Sequence, residues 1–189
     1  MVSDGQASEG EYRILPELFE WAEAIVFSLA AVVLLFTFVF RIVGVDGQSM
    51  ENTLFNGDRL VISRMSYTPK QGDVIVFPVS PSVETKPLIK RIIAVGGQTV
   101  NIDYKKGTVT VDGKVLSEPY IKEVMLSPVL PDPINFPLTV PKGKVFVMGD
   151  NRNNSLDGRS GEIGFVDTRD ILGRVLFRIF PLNEIGALK

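Results

Sequence analysis

The run Ala24 to Phe40 (AIVFSLAAVVLLFTFVF) carries no charge and only Ser28 and Thr37 as polar members, and it constrains the fold more than any other feature of the chain. Continued past Arg41 through Ile42, Val43, Gly44 and Val45 it reaches about 22 residues, roughly 33 Å of helix, enough for a hydrocarbon core of about 30 Å. A transmembrane helix is the expectation. Pro16 suits the first helical turn, and Glu17 and Glu20 complement the positive end of the helix dipole, which places the anchor over 16–45 behind an N-terminal tail of residues 1–15. A cleaved export signal fits less well, because the preceding segment is long and acidic and no small-x-small site follows. A helix buried in a soluble domain is the remaining alternative, since all-round hydrophobicity suits that setting too. Arg13 precedes the run while Arg41, Arg59 and Arg64 follow it, a bias that by itself favours a cytoplasmic C-terminal side.

Beyond residue 45 the pattern changes to short runs rich in Val, Ile and Phe, separated by Gly, Pro and Asp-Gly turns. The candidate strands are Arg59–Arg64, Asp73–Phe77, Lys90–Val95, Thr99–Tyr104, Thr108–Val111, Lys114–Leu116, Lys144–Met148 and Leu172–Phe180. Asp112-Gly113 supplies the positive φ angles of a two-residue type I′ hairpin. Short connections make the sheet antiparallel, so the fold class is mostly β, an antiparallel sheet domain over 46–189 behind one helix. The Pro-rich stretch Ser127–Pro141 is excluded from a central strand and is expected as a surface excursion, closing a hairpin-bearing insertion at about 97–141.

Composition narrows the chemistry. The chain has 0 His and 0 Cys, which removes a Ser-His-Asp triad, a thiolate nucleophile, a disulfide framework and an ordinary Cys/His zinc site. No metal or cofactor is implied. With 20 Lys+Arg against 22 Asp+Glu and a net charge of −2, there is no basic stripe for nucleic acid.

Three polar constellations remain. The first, Gly44-Val-Asp-Gly-Gln-Ser-Met-Glu-Asn-Thr-Leu54, follows the anchor directly, so Ser49 lies within about 28 Å of its end even on extended chain. The second, Met148-Gly-Asp-Asn-Arg-Asn-Asn-Ser-Leu-Asp-Gly-Arg159, is either an exposed loop of turn residues or a site. In the third, Leu88-Ile-Lys-Arg-Ile-Ile-Ala-Val95, Lys90 and Arg91 must leave a strand on opposite faces, and one of them is expected to point inward. Desolvation lowers the pKa of a buried lysine and turns it into a general base. The alternative is an edge strand with solubilising charges.

In this order, Ser49-Met50 with Thr53-Leu54, Gly57-Asp58, Gly72-Asp73-Val-Ile-Val-Phe77, Lys90-Arg91 and Gly149–Arg159 resemble the bacterial type I signal peptidases, membrane-anchored Ser/Lys proteases, over roughly residues 20 to 180. The resemblance implies Ser49 as nucleophile, Lys90 as general base and Ser155 as the hydroxyl that orients the amine. It further implies Asp157 and Arg159 as charged supports of the loop, and Met50, Leu54 and Ile89 as lining of the pocket for the small residue before the cleaved bond. The implied partners are signal peptides of exported preproteins and the lipid bilayer, with the catalytic part on the extracytoplasmic face, against the arginine bias. The chain departs from the pattern at Asn153, where the family often has Asp, at Gly158, where it often has Ser, and at Gly47, where some relatives carry an oxyanion-binding serine. Two other readings stay open: a related Ser/Lys protease with another target, and a non-enzymatic membrane-anchored module that binds extended peptides.

Overall fold

The computed structural model describes residues 11–63, 65, 67–125 and 131–188. Contacts divide the chain into residues 1–40 and residues 41–189. In the first unit a helix, α1, runs Glu11–Phe38, and its 23 residues from Pro16 to Phe38 are long and apolar enough to cross a membrane. Its apolar side chains are exposed along the whole stretch, Phe19, Trp21, Phe27 and Phe38 among them. The helix therefore starts ahead of Pro16 and stops well short of Val45. Pro16 is tolerated inside it because only the carbonyl of Tyr12, in the first turn, loses its partner. Residues 42–45, read from sequence as the end of the anchor, are instead the end of a strand and the turn after it. The tail at residues 1–10 lies outside the described residues.

Among the described residues the second unit contains twelve strands: β1 (Phe40–Gly44, beginning at the unit boundary), β2 (Arg59–Ser63), β3 (Val74–Phe77), β4 (Leu88–Val95), β5 (Thr99–Asp103), β6 (Thr108–Val111), β7 (Lys114–Val115), β8 (Leu138–Thr139), β9 (Lys144–Met148), β10 (Phe165–Asp167), β11 (Gly173–Phe180) and β12 (Gly186–Ala187). The main sheet has the order β1-β2-β11-β3-β4-β9-β10, with β12 added to β11, and a second sheet runs β7-β6-β5-β8. Every pairing with a recorded register is antiparallel. Sequence expectation and structure agree on this class. The Asp112-Gly113 hairpin forms as expected, with φ of 50° and 78° and Val111 opposite Lys114. Four strands went unread: β1, hidden in the apolar run; β10 and β12, each three residues or fewer; and β8. The last lies in the Pro-rich stretch, and it fits there because it is a two-residue edge strand between Pro137 and Pro141. Residues 127–130 of that stretch, like Arg64, lie outside the described residues.

The core follows from strand alternation. Along β9, Val145 and Val147 enter a cluster with Ile75, Phe77 and Ile92, while Phe146 and Met148 face the other way into a cluster with Val100, Ile102, Val109 and Val111 from the second sheet. A third cluster gathers Met50, Leu54, Leu60, Ile62, Val74, Val76 and Ile89. Strands β3, β4 and β9 are thus covered on both faces. All of the central residues of β4, Ile89 to Ala94, are buried, the two cations included.

Candidate active site

Strand β4 carries Lys90 and Arg91 into the interior together. Each is buried, to 1% and 5% exposure respectively, so the expectation of a single inward cation is corrected: with the sheet covered on both faces, neither side of the strand opens to solvent. Lys90 Nζ donates to Ser49 Oγ at 2.7 Å and to the Ile89 carbonyl at 3.1 Å. Burial lowers its pKa from the usual 10.5 to about 8, Arg159 pushing the same way while the carboxylates of Asp157 and Asp150 pull back. Ser49 sits in the turn between β1 and β2, and the N–H of Ser49 donates to no protein acceptor among the described residues.

The polar stretch after β9 is built into this centre. Asn151 N donates to the Ser49 carbonyl at 3.1 Å, Asn151 Nδ2 to the Gln48 carbonyl at 3.1 Å and Asn154 Nδ2 to Gln48 Oε1 at 3.2 Å, which ties the loop to the serine segment. Gly149 makes the approach possible: a Cβ there would stand 2.3 Å from Ser155 Oγ and 2.4 Å from the Ser49 carbonyl. Asp157 is fully buried and accepts from Gly149 N (2.9 Å), Ser155 Oγ (2.8 Å), and Arg159 Nε (2.8 Å) and Nη2 (2.9 Å). Burial pushes its carboxyl up, but the Arg159 charge and these hydrogen bonds outweigh that and hold it below the ordinary carboxylate range. Arg159 also donates to the Arg152 carbonyl at 2.8 Å, so the pair closes the loop upon itself.

The structure separates the expected roles. Ser49 and Lys90 meet directly. Ser155 stands beside them, but its hydroxyl donates to Asp157, and the hydrogen bond expected from the Lys90 amine is absent among the described contacts. Ser155 bears on the lysine through Asp157. Asp157 and Arg159 are the ion pair inside the loop. Met50 and Ile89 line a cleft of about 660 Å³ that runs past Ser49 and Lys90, whereas Leu54, fully buried, packs behind Met50 and is not part of the cleft wall. At Gly158 a Cβ would meet the Val147 carbonyl at 2.8 Å and the Phe146 ring at 2.9 Å, so this chain has no room for a serine there. Among the described residues no group of His, Cys, Asp and Glu is arranged to hold a metal ion.

Sequence reading left Arg91 and Asp150 without roles. Arg91 Nε and Nη2 grip the two carboxylate oxygens of Asp150 at 2.9 and 2.7 Å, Nη1 donates to the Gly72 carbonyl at 2.9 Å, and the guanidinium lies 4.1 Å over the Tyr120 ring. Thr53 Oγ1 donates to Asp150 at 2.5 Å. The fork joins β4, the turn before β3, the serine segment and the loop after β9. The signal for it was an Arg next to the candidate lysine inside an apolar run, where a cation needs a buried carboxylate partner.

A family profile described as Signal peptidase, peptidase S26, matches residues 18–180. The chain belongs to that family. It is 37% identical over 175 residues to signal peptidase I of Bacillus licheniformis, covering 89% of this chain and 91% of the relative. It is likewise 37% identical over 187 residues to signal peptidase I P of Bacillus subtilis subsp. natto, covering 95% and 98%. A crystal structure of a signal peptidase I from Enterococcus faecalis aligns at 28% identity with a TM-score of 0.42, over 58% of this chain and 98% of that one. Membership in the S26 signal peptidases makes the chain a serine peptidase, a hydrolase.

Proposed function

We propose that this S26 peptidase is anchored by α1 and cleaves signal peptides from exported preproteins after a small-x-small segment, using Ser49 and Lys90 through an acyl-enzyme. The observation that carries the reading is the 2.7 Å contact between Ser49 Oγ and a lysine amine lowered by burial to about 8. In its neutral form Lys90 accepts the Ser49 proton along that contact while Oγ attacks the carbonyl before the scissile bond. The uncommitted N–H of Ser49 is available to the oxyanion that develops. Lys90 then returns the proton to the leaving amine, and water deacylates the serine with the same lysine as base. Met50 and Ile89, both buried, give the cleft a close apolar floor at the serine, which supports selection of an alanine-like side chain there. Anchoring by α1 accords with an apolar helix that nothing among the described residues of its own unit covers, and an extracytoplasmic catalytic unit follows from the family resemblance.

The test is to incubate the purified full chain with a preprotein and sequence the new N-terminus. A single cut after a small-x-small segment, lost in Ser49→Ala, is expected. Binding of the preprotein without cleavage would overturn the proposed substrate, and a cut elsewhere would favour a Ser/Lys protease with a different target.

A further inference from the structure

The cleft beside Ser49 has two walls. Residues 43–47 lead from β1 to the serine, and residues 84–89 lead into β4 and the lysine. Each wall is held by hydrogen bonds of its own. On the first, Val45 N donates to the Asp58 carbonyl at 2.8 Å, Gly57 N to the Val45 carbonyl at 3.0 Å and Gly47 N to Asn56 Oδ1 at 2.9 Å. On the second, Val83 N and Glu84 N turn back on the Ser80 carbonyl, and Glu84 Oε1 accepts from the N–H groups of Thr85 and Lys86. Side chains join the walls at two places. At the reacting end the tie is Lys90 to Ser49; at the rim it is the ion pair of Lys86 Nζ with Asp46 Oδ2.

The rim pair has no part in the core, since its side chains are 67% and 62% exposed. It stands three residues ahead of Ser49 and four ahead of Lys90, at most about 14 Å of chain from either. A peptide that reaches Ser49 lying between these walls has to pass the point where Asp46 and Lys86 meet. We propose that the Asp46–Lys86 pair is an electrostatic clasp across the substrate groove, closed in the free enzyme and opened as the peptide enters, so that it sets the association rate. This inference rests on the cleft being the peptide groove of the proposed protease. An exposed pair is held by at most about a factor of five, so the clasp slows entry without blocking it, and salt loosens it.

The experiment measures the association rate of an uncharged, fluorescently labelled small-x-small peptide with the full chain, carrying Ser49→Ala so that the peptide survives. Asp46→Asn and Lys86→Met are each added to that background. Both are expected to raise the association rate by up to about five-fold at about 0.01 M salt, where the Debye length is about 30 Å. The difference should vanish near 1 M salt, where it is about 3 Å. The charge exchange Asp46→Lys with Lys86→Asp should restore slow, salt-sensitive entry. The two single variants change net charge in opposite directions, so long-range steering would move their rates apart, and that result overturns the clasp. Identical rates in all four proteins overturn it as well. Failure of the underlying reading looks different: the Ser49-intact chain then binds the same peptide and never cuts it, whatever the rim variants do.

Discussion

The pH dependence of cleavage is the sharpest consequence of the buried lysine. An amine at its usual 10.5 is neutral in only about one molecule in three thousand at pH 7, whereas at about 8 it is neutral in roughly one in eleven, a gain of about 300-fold in competent enzyme. Because the base must be neutral, kcat/KM should rise about ten-fold per pH unit below 7, bend near 8 and level off above 9. The direction of change in a variant is also set by the structure. The Asp157 carboxylate favours the protonated amine and Arg159 opposes it, so Asp157→Asn should move the bend to lower pH in whatever fraction folds. The same shift enters stability. The unfolded chain binds the lysine proton up to 10.5 and the folded chain releases it near 8, so Lys90 contributes a stability gain with rising pH between those values and a cost of about 3 kcal/mol below 8. Lys90→Met should therefore flatten that part of the stability curve. The assay is kcat/KM against pH from 6 to 10.5 with a peptide that has no titrating group, beside urea melts of wild type and Lys90→Met. A rate profile flat between pH 6 and 9, or one that bends only near 10.5, would refute the assignment of Lys90 as base.

Ser49→Ala and Lys90→Ala should each abolish processing with the fold retained by circular dichroism, and Lys90→Arg should fail too, because a guanidinium stays protonated at every workable pH. Ser155→Ala removes one of the donors that hold Asp157 and should lower kcat more than it raises KM, while remaining well above Ser49→Ala; steady-state kinetics with a melting curve distinguish this from general loosening. Arg91→Leu leaves Asp150 buried without its cation and should destabilise the second unit by about 3–5 kcal/mol in urea unfolding. Removing residues 1–38, which ends ahead of β1, should leave a fragment that cuts soluble peptides at the wild-type rate but processes precursor inserted in liposomes several-fold more slowly; equal rates on both substrates would contradict the anchoring role.

What the sequence revealed of the fold tracks how local each signal is. Asp112-Gly113 is visible because a type I′ turn needs positive φ at two adjacent residues, a requirement written in those residues alone. The start of β1 is hidden for the opposite reason. Phe40, Ile42 and Val43 satisfy a helix in lipid as well as a strand, and only pairing with β2, at residues 59–63, decides between them. β8 is hidden because proline argues against strands in general but not against a short edge strand, and edge position is a property of the assembled sheet.

The site divides along the same line. Ser49 and Lys90 stand out because a hydroxyl after a long apolar run and a cation in a β-branched run are anomalous where they lie, and a chain with 0 His leaves few other bases. Their supports are less legible, since a support is defined by what it touches. The expectation that one face of β4 would be open treated the sheet as a single layer. Segments 48–54 and 149–159 pack against it, Ser49 on Lys90 and Thr53 with Asp150 on Arg91, so Arg91 is buried almost as deeply as Lys90. That enclosure explains why the two cations behave differently although they are neighbours in sequence. Arg91 has a carboxylate in bidentate contact and serves as a strut between β4 and the loop after β9. Among the described residues Lys90 has only a hydroxyl and a carbonyl within hydrogen-bonding reach, neither of which balances a charge, and its two carboxylates act at longer range with Arg159 set against them. Burial therefore outweighs attraction at Lys90, which leaves the lysine as the group able to give up its proton near neutrality.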